Sequence, residues 1–395
     1  KLDWKNADLE LLPQTRRLGR DYLTTPRLSR VQELNWWRVS RGYWGGLVTV
    51  YEDLLRRHRG QEKGADALKP NLPTISARLL HAYGNRLKWD QFRYGPIEPT
   101  FWAAIGDVYL AALQAKQAQK PLHLYPGSGG ETTVEREYLK TLLFHASSMD
   151  NLSPLEIEIA ERVIAHLMPA FTLVAESAPD NVYWVDPAKP LPPTRLARLP
   201  EVTATLRFFA TRNALTSLAS LQRSVEVSGA LPAAVNFGGQ YSPRVVLPVL
   251  EHLAACWAPK PPMRHHARHQ VKSRLAVVPG LPAIMLNLAG RSPEPDNTEA
   301  WVVDDVSQGG MGATVPMVGK DWLRVGALVG LQPDGGRNWL IGLVRRLARE
   351  SETSCTVGLE TISKSPRAIV ADGGGLQTEA VLLEPLAADQ DVRLL

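Results

Sequence analysis

Cysteine is scarce. Only Cys256 and Cys355 occur in 395 residues, so no disulfide framework holds this fold. Both stand in apolar or strand-like surroundings, which predicts buried free thiols and fits a reducing cytoplasm. Long apolar runs are missing too. The longest candidate, Leu275 to Ala289, is broken by Pro279, Gly280 and Pro282, so nothing reaches the roughly 20 residues that span a bilayer. No Ser/His/Asp, Cys/His or metal set has the spacing that chemistry requires, so no catalytic residues are assigned and the chain does not read as an enzyme. Gly127-Ser128-Gly129-Gly130, followed by Glu131-Thr132-Thr133, has the look of a phosphate loop but lacks its lysine. It reads as a connection before the next helix. His265, His266 and His269 have metal-compatible spacing, yet they lie in a basic segment with no Cys or carboxylate to complete a set, so neither metal nor cofactor is expected. The chain begins at Lys1, and the sequence is silent on any processed leader.

The charge that is present is unevenly placed. A formal net charge of +5 and a pI near 9.1 are mild. Cys256 to Arg274 alone holds five Lys/Arg, three His and no acid. A concentrated patch suits a small anionic ligand better than a long polyanion, which calls for an extended basic stripe. The length implies two or three domains.

Residues 1–257 read as helical. Ser153-Pro154-Leu155-Glu156 is a capping box with proline at the first helical position. Leu155, Ile159 and Val163 follow at helical spacing, and Pro169 closes the run. Arg136 to Ser147 and Glu201 to Arg223 carry similar stripes. The proline-rich stretch 186–200 reads as a linker between helices and a possible internal break. Ser242-Pro243 starts a last helix that ends near Trp257, shortened or kinked by Pro248. Glu156, Glu158 and Glu161 read as solvent-facing residues complementing the helix dipole. Trp36, Trp37, Arg38, Arg41, Tyr43 and Trp44 interleave aromatics with cations. Buried tryptophans with outward arginines is the simpler reading, and a stacking surface for nucleic acid is the alternative.

Residues 258–395 change character. Arg274 to Val278, Leu323 to Leu331, Asn338 to Arg346, Ser354 to Glu360 and Thr378 to Leu383 read as short strands. Asp334-Gly335-Gly336 is a hairpin turn. The expectation is an α+β chain: a mainly helical N-terminal region, then a small antiparallel β-barrel.

Two motifs carry the chemistry. Arg264-His265-His266-Ala267-Arg268 is an R-x-x-x-R pair after a proline cluster. Asp305-Val306-Ser307-Gln308-Gly309-Gly310 is a D-x-S-x-x-G turn after the apolar run Ala300-Trp301-Val302-Val303. A guanidinium fork fits a phosphate, or the O6/N7 edge of guanine, bidentately. Aspartate accepts from guanine N1 and N2 hydrogens, and a serine hydroxyl donates or accepts beside it. Glycines let a backbone approach a flat ligand closely.

In this order, with strands after both, the motifs resemble those of the PilZ domain, a bacterial receptor module for cyclic di-GMP. The phrases V-G-A-L-V-G-L and W-L-I-G-L-V-R-R look like its later barrel strands. The resemblance covers Met263 to Pro385. It implies a bacterial, cytoplasmic receptor that binds cyclic di-GMP through Arg264, Arg268, Asp305, Ser307, Gly309 and Gly310. Residues 258–395 would be the sensor, and residues 1–257 the output region meeting a protein partner. Two departures stand out. The 36 residues between Arg268 and Asp305 imply an enlarged hairpin near Gly290 to Thr298. Met263 replaces an arginine that the family often has there, which implies one bound ligand. A nucleic-acid-binding protein and a scaffold with a ligand-free barrel stay open as alternatives. The partner and output pathway are not legible.

Overall fold

The structure is a computed structural model that describes residues 11–25, 29–126, 130–232, 241–261, 267–290, 298–317, 322–336, 338–351, 353–372, 377–384 and 393–395. The chain divides into two units. Unit 1 comprises Lys1–Arg93, Ile97–Met149 and Pro154–Pro262; unit 2 comprises Tyr94–Pro96, Asp150–Ser153 and Met263–Leu395.

Unit 1 is built on α1 (Leu12–Thr24), α2 (Arg30–Arg59), α3 (Leu72–Gln91), α4 (Pro99–Gln114), α5 (Val134–Ala146) and α6 (Pro154–Leu167). Local signals start several of them. Ser29 and Gln32 form a reciprocal capping box at α2, whose last turn carries Arg56, Arg57, His58 and Arg59 against the negative end of its dipole. Thr133 Oγ1 accepts from Arg136 N at 3.0 Å to cap α5.

The chain then forms β1 (Thr172–Val174), β2 (Asn181–Val185), β3 (Thr194–Arg195) and β4 (Arg207–Ala210), an antiparallel sheet in the order β1-β4-β2-β3. This corrects the helical reading of the region. The stretch 186–200 is no linker between helices: it carries β3, and its first residue, Asp186, accepts from Thr203 and Thr205 at 3.1 and 2.5 Å. The stripe expected from Glu201 starts only at α7 (Arg212–Ser228), because Phe208 and Phe209 bury themselves as strand residues.

α8 (Pro243–Trp257) runs to the expected end, with Pro248 inside it. Its terminal carbonyls, which lack helical partners, are met from the sheet side. Tyr183 Oη and Arg195 Nη1 donate to Cys256 O at 2.6 and 2.8 Å, and Thr211 Oγ1 donates to Trp257 O at 2.7 Å.

Unit 2 holds β5 (His269–Pro279), α9 (Gly280–Leu288), β6 (Glu299–Ser307), β7 (Gly310–Pro316), β8 (Leu328–Pro333), β9 (Leu340–Arg349), β10 (Ser354–Ser363), β11 (Arg367–Asp372), β12 (Gln377–Leu383) and β13 (Arg393–Leu394). Six strands close an antiparallel barrel in the order β10-β7-β6-β5-β8-β9. The fold is therefore α+β, helices mostly first and a barrel after them.

Alternation fills the barrel interior: Leu275, Val277, Trp301, Val303, Val329, Leu331, Val357 and Leu359 are all buried. Tyr94 joins this core. Its hydroxyl accepts from Val325 N at 3.1 Å and its carbonyl from Arg349 N at 2.9 Å. Part of the long spacing between the two motifs is occupied by α9; the enlarged hairpin expected near Gly290 to Thr298 falls on residues 291–297, outside the described residues. Pro282 falls in the first turn of α9, where proline is tolerated. Ala283 and Ile284 of α9 bury against Val278, Ile341, Val381 and Leu383. β11, β12 and β13 form a separate three-stranded sheet.

Candidate functional site

Arg268 stands one residue before β5, whose first pairings are His269 with Val306 and Gln270 with Asp305. That register brings Arg268 alongside the end of β6. The ladder of β6 against β7 shifts between Val303 and Asp305. Val303 is buried in the barrel and Val306 packs against the same core. The irregularity therefore leaves Asp304 and Asp305 on the outer face, as bulges commonly do when they re-aim a side chain. Asp304 Oδ2 accepts from Thr314 Oγ1 at 2.7 Å. Asp305 faces Arg268.

Arg268 Nη1 donates to Asp305 Oδ1 at 2.8 Å and to Oδ2 at 3.0 Å. The arginine side chain is 42% exposed and the carboxylate 19%. Two residues 37 positions apart, one from each motif, thus meet on the outside of the barrel. Among the described residues only Nη1 of the guanidinium is engaged, so its fork has further donors to offer an anion.

The second motif is mostly strand and only partly turn. Asp305 and Ser307 belong to β6, Ser307 pairs with Gly310, and the two-residue connection is Gln308-Gly309. Ser307 Oγ donates to Gly310 O at 3.2 Å, and Gly309 O accepts from Thr361 N at 3.0 Å. Gly310 is required by close approach: a Cβ there would lie 2.1 Å from Leu359 O. Arg264, Met263, His265 and His266 lie outside the described residues, as do Gly127, Ser128 and Gly129 of the glycine loop.

Among the described residues no group of His, Cys, Asp and Glu could hold a metal ion. Nor is any helix long and apolar enough to cross a membrane. The aromatic and basic stretch of α2 is packed. Trp44 is buried. Trp37 donates its Nε1 to Trp89 O at 2.6 Å, with the guanidiniums of Arg41 and Arg93 at 5.6 and 5.3 Å from its ring.

One reading of unit 1 is overturned. Glu158 and Glu161 do not face solvent; they enter a half-to-fully buried chain of ion pairs across α3, α5 and α6. Lys88 Nζ lies 2.7 Å from Glu158 and 3.5 Å from Glu161, and Arg162 lies 2.7 Å from Glu158. Farther along, Glu137 meets Lys140 at 3.2 Å and His81 Nδ1 at 3.1 Å. Asn85 Nδ2 stands 3.1 Å from His81 Nε2. A neutral imidazole with Nδ1–H donating to Glu137 and Nε2 accepting from Asn85 satisfies both of those partners, and Lys140, whose Nζ lies 3.4 Å from Nδ1, is met by Glu137 instead. Burial, helped by the Lys140 charge, pushes His81 below its ordinary pKa. Burial alone would raise Glu137, but Lys140, His81 and Thr132 hold it well below the carboxylate range. The sequence signalled only the within-helix partners, Glu158 with Arg162 and Glu137 with Lys140.

Comparison with known proteins adds a separate finding. Residues 5–178 match the family model described as cyclic-di-GMP receptor FimW, N-terminal domain. The match covers less than half of the chain and falls on its helical part, before the barrel begins. Over those residues the chain is similar to a cyclic di-GMP receptor family. No curated protein matches the chain.

Proposed function

We propose that the protein is a cyclic di-GMP receptor whose C-terminal barrel is a PilZ-like sensor. Arg264 and Arg268 contact phosphate and the guanine Hoogsteen edge. Asp305 and Ser307 hold the other guanine edge, while Gly309 and Gly310 keep the hairpin low enough for the ligand to approach. Residues 258–395 act as sensor and residues 1–257 as output, in a bacterial cytoplasm. The observation that carries this reading is the meeting of Arg268 and Asp305 on the barrel's outer face. The two motifs converge although α9 separates them in sequence. The similarity of residues 5–178 to a cyclic di-GMP receptor family supports the same ligand from a different part of the chain.

The mechanism follows from charge. The basic segment 260–269 repels itself, and a dianion that binds it neutralises the repulsion and fixes the arginines. It acts as a switch to the extent that the ligand binds one arrangement of the chain better than another. Titration calorimetry of the full chain with cyclic di-GMP tests the proposal. Micromolar or tighter binding, about −8 kcal/mol, is expected at one ligand per chain, because Met263 stands where a further arginine would serve a second. No detectable heat at about a hundred micromolar, far above such a Kd, would refute the ligand assignment.

A further inference from the structure

The β-ladders lay one continuous row of residues across the outside of the barrel. Gln270 of β5 pairs with Asp305 of β6, and Asp305 with Gly312 of β7. Gly312 pairs with Gly358 of β10, and Gly358 with Arg346 of β9. Asp305 and Arg346 are thus three strand spacings apart, about 14 Å at ~4.8 Å each.

Both charged ends owe their outward aim to a shifted register. On β9 the shift falls opposite Gly358 and Leu359 and leaves Arg345 unpaired in the ladder. Val344 and Leu347 are buried in the core, while Arg345 and Arg346 are both exposed. Arg345 turns toward Glu360 at 2.5 Å, in the neighbouring row. Arg346 is 61% exposed and meets Asp150 at 2.5 Å, also within unit 2. The two positions of the row between Asp305 and Arg346 are Gly312 and Gly358, which carry no side chain. A Cβ on Gly312 would lie 3.1 Å from the Asp305 carboxylate, and one on Gly358 would lie 3.1 Å from Arg346 Cβ. The two positions therefore open on the same face as the charged groups.

We infer that Arg346 is a second cationic contact for the dinucleotide, at the opposite end of the row from Arg268 and Asp305. This rests on the cyclic di-GMP reading above. The ligand has two phosphates and two guanines, and the Arg268–Asp305 pair serves one half of it. A second guanidinium fork matches a phosphate or a guanine edge of the other half. Asp150 is the counter-ion that Arg346 exchanges for the ligand. Arg346 is then a binding residue, and Asp150 competes with the ligand.

Calorimetry of the full chain with cyclic di-GMP separates this from a structural role for the Arg346–Asp150 pair. Arg346→Gln is expected to lower affinity at least tenfold. Asp150→Asn is expected to leave affinity equal or raise it, since it releases the guanidinium. Gly358→Val, which puts a branched side chain into the row, is expected to weaken binding as well. Thermal melts establish that each variant is folded; if Gly358→Val is not, the Arg346 and Asp150 variants alone decide. Equal weakening by Arg346→Gln and Asp150→Asn overturns the inference, because a purely structural ion pair behaves that way. Unchanged affinity in Arg346→Gln also overturns it, and leaves the receptor assignment standing if the wild type binds. A wild type that gives no heat overturns both.

Discussion

Replacing Arg268 with alanine should separate affinity from stability. The Arg268–Asp305 pair is largely solvated on the arginine side, with side chains 42% and 19% exposed. Exposed pairs of this kind contribute about 0–1 kcal/mol, so the melting temperature should fall by roughly 4 °C at most. A charge-assisted contact to a ligand is worth more, about 1.5–3 kcal/mol. At about 1.4 kcal/mol per decade, Kd for cyclic di-GMP should rise about 10- to 150-fold. Calorimetry and thermal melts on the same preparations measure both quantities. An unchanged Kd would show that Arg268 only partners Asp305. A large drop in melting temperature would show that the pair holds the barrel together, contrary to its exposure.

Other outcomes follow from the same structure. Wild-type protein should prefer cyclic di-GMP strongly over cyclic di-AMP, and Asp305→Ala should lose part of that preference, because a site built to pair polar groups rejects analogues that leave them unpaired; equal weakening for both ligands would mean that Asp305 does not read the base. Glu158→Ala should destabilise unit 1 by about 3 kcal/mol, the lower end for breaking a buried ion pair, since Lys88 keeps Glu161 at 3.5 Å; chemical denaturation measures this, and a neutral result would count against burial of the network. Unit 1 should lose stability on acidification. His81 is held low in the folded state, so its contribution is full above about pH 6.5 and is lost as pH falls. Glu137 adds to the loss below about pH 4.3. Melts that strengthen between pH 7 and 5 would contradict the sign.

The barrel was legible where strands alternate and turns are marked, as with Arg274 to Val278 and Asp334-Gly335-Gly336. β7 was hidden because Gly310-Met311-Gly312-Ala313 lacks the branched residues that advertise a strand. α9 was hidden because Pro279, Gly280 and Pro282 read as breakers, although proline is tolerated in a helix's first turn. The sheet within 172–210 was masked by its proline-rich loop. The candidate site was legible as residue types in two motifs. The contact of Arg268 with Asp305 was not, because it depends on a register shift in β6 that no local pattern announces. Glu158 and Glu161 were misread for a related reason. Their cationic partner, Lys88, comes from a distant helix, and spacing along one helix reports only its own neighbours.

Tyr94 sets an order for the making of this protein. It emerges from the ribosome long before any barrel strand, yet the backbone amide it receives belongs to Val325, 231 positions later. The barrel core is complete only when Val325 and Arg349 come back to Tyr94, a residue from the first third of the chain. Contacts of that separation are the slow ones in folding. A gene fragment cut at the proline cluster before Arg264 would encode every barrel strand and still lack one side chain of the barrel's interior.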